Sequence, residues 1–158
     1  MGTLMMTRVE MDKRVFVHAS DIQLLDDPTV DRVIDWQPDI VLAAGPPLYL
    51  DRLGKTARER ARDNAVRLLQ NIAIVILDHH LMRSEEGAVW LDKLSAAAGK
   101  KVYCAADFMG KPRRLLEAER VQLYQAMPVP HGWHDGYAKG LVDTSDYFDA
   151  IRYQGIQF

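Results

Sequence analysis

The chain has 158 residues, 48% of them apolar and 27% charged, which excludes a disordered or collagen-like polypeptide and suits a single domain over 1–158 with one core. Lys and Arg (20) nearly balance Asp and Glu (22), so no bulk field draws nucleic acid or an anionic membrane, and nucleic acid is a disfavoured partner. Cys104 is the lone cysteine, no apolar run approaches the roughly 20 residues of a membrane span, and Met1 to Met11 lacks a signal pattern; the expectation is a soluble cytoplasmic protein without a membrane partner.

In chain order, Thr7 to Met11 and Arg14 to His18 alternate in character around Asp12-Lys13, which predicts a β-hairpin that runs into Ala19-Ser20-Asp21. Asp27 as cap and Pro28 in the first turn open a short helix that stops near Trp36. Asp39 to Ala44 is a continuous apolar run, the mark of a strand buried on both sides, and Gly45-Pro46-Pro47 ends it. Lys55 to Gln70 repeats Ala and Leu at helical spacing. Ile72 to Leu77 predicts another buried strand, closed by Asp78-His79-His80. Glu85 to Ala98 is a helix with Gly99 as its stop. Lys101 to Ala106 predicts a further strand ending at Asp107, and Arg113 to Met127 a last helix stopped by Pro128 and Pro130. The tail from His131 to Phe158, with Trp133, Tyr137, Tyr147, Phe148, Tyr153 and Phe158, is aromatic without a period.

The fold class is therefore α/β: a β-hairpin followed by alternating helices and strands in a largely parallel sheet. Right-handed crossovers place Asp21, Gly45, Asp78 to His80 and Asp107 along the carboxyl edge, where ligands bind in open α/β sheets.

Asp21, His79 and His80 lead the candidates for chemistry. Zinc, iron and manganese take carboxylate oxygen and neutral imidazole nitrogen, and a reactive site keeps one position open for water. The plainer alternative makes Asp21 and Asp78 helix caps and one histidine a polar loop residue. His131-Gly132-Trp133-His134-Asp135 has chelating residue types in a Pro- and Gly-rich loop, where packing is the better account. Leu53-Gly54-Lys55-Thr56 has the ending of a phosphate loop, but that motif needs glycine where Tyr49 stands, so it reads as a helix start. Cys104 reads as an inert core thiol. Lys111, Arg113 and Arg114 could meet an anion, with a solvated face as the alternative. Arg58, Arg60, Arg62 and Arg67, interleaved with Glu59 and Asp63, read as a solvated helix face.

Val15 to Asp21, Pro38 to Leu42 with Gly45-Pro46-Pro47, Ile76 to Ser84 and Tyr103 to Gly110 together resemble the carboxyl-terminal half of an uncharacterised, mainly archaeal branch of the metallo-β-lactamase-fold hydrolases. The resemblance runs from about Thr7 to about Gly140. It implies the second half of an αββα sandwich, a divalent metal (zinc foremost, with iron or manganese possible), Asp21 as the metal-bridging and catalytic aspartate, and His79 or His80 as a late histidine ligand. The family's His-x-His-x-Asp-His signature has no counterpart among histidines 18, 79, 80, 131 and 134. The resemblance thus implies a metal-dependent hydrolase incomplete in this chain: a fragment, a split-gene product whose missing half-site a second polypeptide supplies, or a degenerate relative. The alternative is a non-catalytic α/β module that completes its core with a partner chain or as a homo-oligomer, because the inner face of a half-sandwich would lie bare.

Overall fold

The computed structural model describes residues 4–143; Tyr147, Phe148, Tyr153 and Phe158 of the aromatic tail lie outside them. The chain divides into two compact units, Met1–Arg120 and Val121–Phe158.

In the first unit, strands β1 (Thr7–Met11) and β2 (Arg14–Ala19) form the expected hairpin, with Asp12 and Lys13 at φ +50° and +62° in its two-residue turn. Both central residues at positive φ is the geometry that matches the twist of a tight hairpin. Strands β3 (Ile40–Ala43) and β4 (Ile74–Leu77) follow in parallel, giving a mixed four-stranded sheet of order β1-β2-β3-β4. Helices α1 (Asp27–Asp35), α2 (Lys55–Asn71) and α3 (Glu85–Ala98) make the crossovers. Each parallel strand is added on the same side of its predecessor, so right-handed crossovers bring all three helices to one face.

That face holds the core. Val17, Ala19, Val41, Ala43, Val75 and Leu77 point into it and meet Val30 and Val33 of α1, Ala61, Ala65 and Leu68 of α2, and Leu91 and Leu94 of α3, all buried. Asn64 is a buried polar side chain in this cluster of helices, and its amide donates to the Leu24 carbonyl at 3.0 Å and to Asp27 at 2.8 Å. On the opposite face the register lines up Val9, Phe16, Ile40 and Ile74 in one row and His18, Leu42 and Ile76 in the next. Within the first unit no described helix covers the first of these rows, whereas in the second row Ile76 is buried and bridges to Tyr103. Phe16, Ile40, Leu42 and Ile74 remain half-buried, His18 is exposed, and an open groove of about 500 Å³ runs past Val9, Met11, Phe16, Ile40 and Ile74.

Several expectations need correction. Asp26, not Asp27, caps α1: its carboxylate accepts the Thr29 N–H at 3.0 Å. The strand expected from Ile72 starts at Ile74, because Ile72 closes α2 by donating its N–H to the Leu68 carbonyl. The strand expected over Lys101 to Ala106 shrinks to a single parallel bridge between Tyr103 and Ile76. Ser95 Oγ holds the Val102 N–H at 3.0 Å, and Cys104 then caps a one-turn helix, α4 (Ala105–Phe108), which turns the chain off the sheet. The helix expected over Arg113 to Met127 is confined to α5 (Arg120–Ala126). Arg113 forks onto Asp107 and Asp92 instead, and only a turn over residues 116–119 leads into α5. Part of the expected loop at His131 to Asp135 belongs to a short helix, α6 (Trp133–Ala138), in the second unit, where the Trp133 and Tyr137 rings stack with centroids 5.1 Å apart. Among the described residues no helix is long and apolar enough to cross a membrane.

Candidate metal centre

The three loops that leave β2, β3 and β4 at the carboxyl edge are tied to one another through the backbone. The Gly45 N–H donates to the Ile22 carbonyl at 3.1 Å, and the Leu81 N–H donates to the Ala44 carbonyl at 3.0 Å. Gly45 sits at φ +71°, and a Cβ there would come within 2.9 Å of the Leu81 Cβ. Only glycine meets both demands without strain. The loop after β3 thus threads between the loop bearing Asp21 and the one bearing His79 and His80.

Asp21, His79 and His80 come together there. His80 Nε2 is 3.9 Å and His79 Nε2 4.0 Å from Asp21 Oδ1. One ligand atom from each of the three can be chosen so that all lie within 4.8 Å of one another, and they are the one such trio of His, Cys, Asp or Glu among the described residues. The two imidazole rings stand 4.5 Å apart at 50°. His79 has a φ of +22°, sparsely populated for a side chain of this size; this turn lets two consecutive residues face the same carboxylate. An open cleft of about 420 Å³ adjoins the trio, lined by His18, Ser20, Asp21, Leu42, Asp78 and His79 among others.

The three differ in setting. Asp21 and His79 are exposed, whereas the His80 side chain is only 16% exposed. Burial lowers the His80 pKa, and the neighbouring His79 and Arg83 charges push the same way against the pull of Asp21. These influences favour the neutral form of the His80 imidazole. Its second nitrogen, Nδ1, lies 3.4 Å from the Tyr49 hydroxyl, which accepts a hydrogen bond of 3.2 Å from Arg83 Nη1.

The other sequence candidates separate from this site. Asp78 lines the cleft beside the trio but is engaged elsewhere: its carboxylate accepts the Ala105 N–H at 2.6 Å, stapling α4 to the end of β4. Asp107 is spent on Arg113, whose guanidinium holds its carboxyl below the usual range, and Arg113 in turn bridges to Asp92 on α3. Arg113 is thus no free anion contact. Cys104 is buried and burial raises its pKa, as an inert thiol requires. Gly54 and Lys55 do open a helix, α2. Arg58 is not a solvated residue: it donates to the Leu48 and Leu53 carbonyls at 2.8 and 3.0 Å and pairs with Glu86, so it clamps the loop carrying Tyr49 against α2 and α3. Arg67 likewise joins Asn64 and Asp31, while Arg60 and Arg62 are exposed. His131, His134 and Asp135 are exposed and form no metal-type trio among the described residues. Tyr49 and Arg83 escaped the sequence reading because their link to His80 is made by the Gly45 crossing, which no local spacing announces.

The chain is similar to UPF0282 proteins of archaea. It is 49% identical over 146 residues to one from Methanosarcina mazei, 32% over 147 residues to one from Pyrococcus horikoshii, and 32% over 132 residues to one from Methanocaldococcus jannaschii. These matches take in 92%, 89% and 82% of the chain but only 48%, 46% and 43% of the relatives. The chain therefore spans about half the length of the curated relatives it matches. No protein-family model matches it, and no solved structure does.

These findings overturn the resemblance to a half of a metallo-β-lactamase-fold hydrolase, and with it the hydrolase function and the sandwich that the resemblance implied. The relatives are UPF0282 proteins, whose names state no activity, and nothing in the comparisons supports that fold. The archaeal affinity does agree. The physical reason for the error is that acids and histidines after buried strands mark the carboxyl edge of any parallel sheet, and so do not identify one fold.

Proposed function

We propose that the chain binds a divalent transition-metal ion, zinc foremost with iron or manganese as alternatives, through Asp21, His79 and His80. The observation that carries this reading is the convergence of one carboxylate and two imidazoles, from two strand ends far apart in sequence, on one open edge. Mixed oxygen and nitrogen donors of this kind suit those ions. The donor spacings of 3.9 and 4.0 Å exceed the separation between ligands in a tetrahedral shell by only about half an ångström. Rotations of the exposed Asp21 and His79 side chains can take that up.

Within such a site the half-buried His80 is the fixed ligand and the exposed pair closes on it. Asp21 supplies the negative charge that offsets the cation. A bound ion would supply Lewis acidity, polarising a water or a substrate oxygen at the cleft. Three protein donors leave positions open to water or to groups from the remainder of a longer protein or a second chain. The half-exposed apolar rows on the helix-free face of the sheet support packing against such additional polypeptide.

Metal analysis of the purified chain tests the reading. The expected result is stoichiometric zinc, iron or manganese in the unsubstituted chain and its loss on replacing Asp21, His79 and His80 by alanine. Metal content that is substoichiometric and indifferent to those substitutions overturns it.

A further inference from the structure

The half-buried ligand of the proposed centre has a partner on its far side. His80 presents Nε2 toward Asp21 and Nδ1 toward the Tyr49 hydroxyl, 3.4 Å away, so the two ring nitrogens look in opposite directions at two different loops. Arg83, on the 3-10 turn Leu81–Arg83 that follows His80, donates to the same hydroxyl oxygen at 3.2 Å and lies with its guanidinium carbon 5.8 Å from the Tyr49 ring centroid. Tyr49 is itself held: the Leu50 N–H donates to the Pro47 carbonyl at 3.1 Å, Arg58 grips the Leu48 carbonyl, and the Gly45 crossing sets the distance to the loop after β4.

We propose that Tyr49, held by Arg83, is a positioning residue for His80; the inference rests on the metal reading above. A neutral imidazole that gives its Nε2 lone pair to a cation must carry its proton on Nδ1, and that proton needs an acceptor in a half-buried site. The Tyr49 oxygen is the acceptor within reach. Before the ion arrives, the ring can carry its proton on Nε2, facing the Asp21 carboxylate, with Nδ1 accepting from the Tyr49 hydroxyl. A hydroxyl both donates and accepts, so Tyr49 serves either tautomer, which a carbonyl or an ammonium in its place would not. Binding then switches the tautomer with no net change in protons on the ring: Nε2 releases its proton to solvent as the metal bond forms, Nδ1 takes one from solvent and donates it to the Tyr49 oxygen, and the hydroxyl hydrogen turns away from the ring. The Arg83 guanidinium occupies the remaining acceptor direction of that oxygen and keeps it in place through both states. The ring plane of His80 is thus fixed before binding, and the exposed His79, whose ring has no such partner among the described residues, is the ligand that adjusts.

The test is Tyr49→Phe, which keeps the ring and removes only the oxygen, with Arg83→Met as a second variant. Zinc affinity is measured by chelator competition, and the His80 ring nitrogens are followed by NMR with and without zinc. Loss of a buried ligand's outer partner lowers metal affinity by about 10- to 100-fold. The expected result is a loss of that order in Tyr49→Phe, a smaller loss in Arg83→Met, an unchanged melting temperature of the metal-free chain, and a zinc-loaded Nδ1–H signal that is slow to exchange only when Tyr49 is present. Unaltered zinc affinity and an unaltered Nδ1–H signal in Tyr49→Phe overturn the role of Tyr49 while leaving the metal centre standing. Absence of zinc binding in the unsubstituted chain removes the metal centre and this role together.

Discussion

The two faces of one sheet show how differently the same strands are used. Along β4, Val75 and Leu77 point into the layer of helices and are fully buried, while Ile74 stands on the other face half-buried, although all four residues of the strand are aliphatic. On the helix side the inward strand residues share one buried cluster with side chains of α1, α2 and α3, so packing there is costly to disturb. On the open side, Phe16, Ile40 and Ile74 form a row without an opposing layer among the described residues. The difference teaches that an unbroken apolar strand testifies to two faces that avoid water without showing that one chain supplies both covers. It also explains how a chain spanning half the length of its relatives holds a well-packed core, since all the buried strand residues but Ile76 lie on the helix side.

The comparison can be broken most directly with paired truncations in β4. Leu77→Ala on the helix side should destabilise the fold by about 2–5 kcal/mol, because it leaves a cavity among fixed neighbours. Ile74→Ala on the open side should cost about 1 kcal/mol or less, since much of its surface is already wet. Denaturant unfolding of the two variants measures both, and equal losses would mean that the open face is covered in solution. At the carboxyl edge the contrast sharpens around Gly45: Gly45→Ala should cost about 1–3 kcal/mol from the positive φ alone, with the Leu81 contact adding to it. The same measurement checks it, and a neutral result would show that the crossing loop can yield.

A smaller effect is expected from the ion pairs that brace the helix side. Asp107 is held below its ordinary pKa of 3.8 chiefly by its hydrogen bonds from Arg113. A carboxyl whose folded pKa is depressed contributes stability that is fully present above its unfolded pKa and is lost as pH falls through the folded value. Asp107→Asn should therefore lower stability at neutral pH and flatten its decline below about pH 4. Acid titrations followed by circular dichroism compare the two curves, and parallel curves would remove Asp107 from the acid response.

Much of the architecture was legible in local pattern. The hairpin turn, the proline opening α1, the apolar runs of β3 and β4, and Gly99, which closes α3 at φ +59°, each carry their own signal. The failures share one cause. Val102 to Ala106 has strand character but is claimed by Ser95 and Asp78, and Arg113, at the start of a helical spacing, is claimed by Asp92 and Asp107. In both places a side chain distant in sequence outbids weak local preference, and nothing within a window of a few residues records the bid.

The candidate centre divides along the same line. The sequence by itself determined that Asp21, His79 and His80 follow strands, because strand ends are written in hydrophobic runs and the residues that stop them. Only the tertiary structure decided that the three donors meet within 4.8 Å, that His80 is sheltered while His79 is not, and that Tyr49 reaches the second nitrogen of His80. Those facts depend on the order of β2, β3 and β4 in the sheet and on the close passage of Gly45 by Leu81. Strand order and loop approach are products of global packing, which sums many weak contacts over the whole chain and leaves no mark on any single segment.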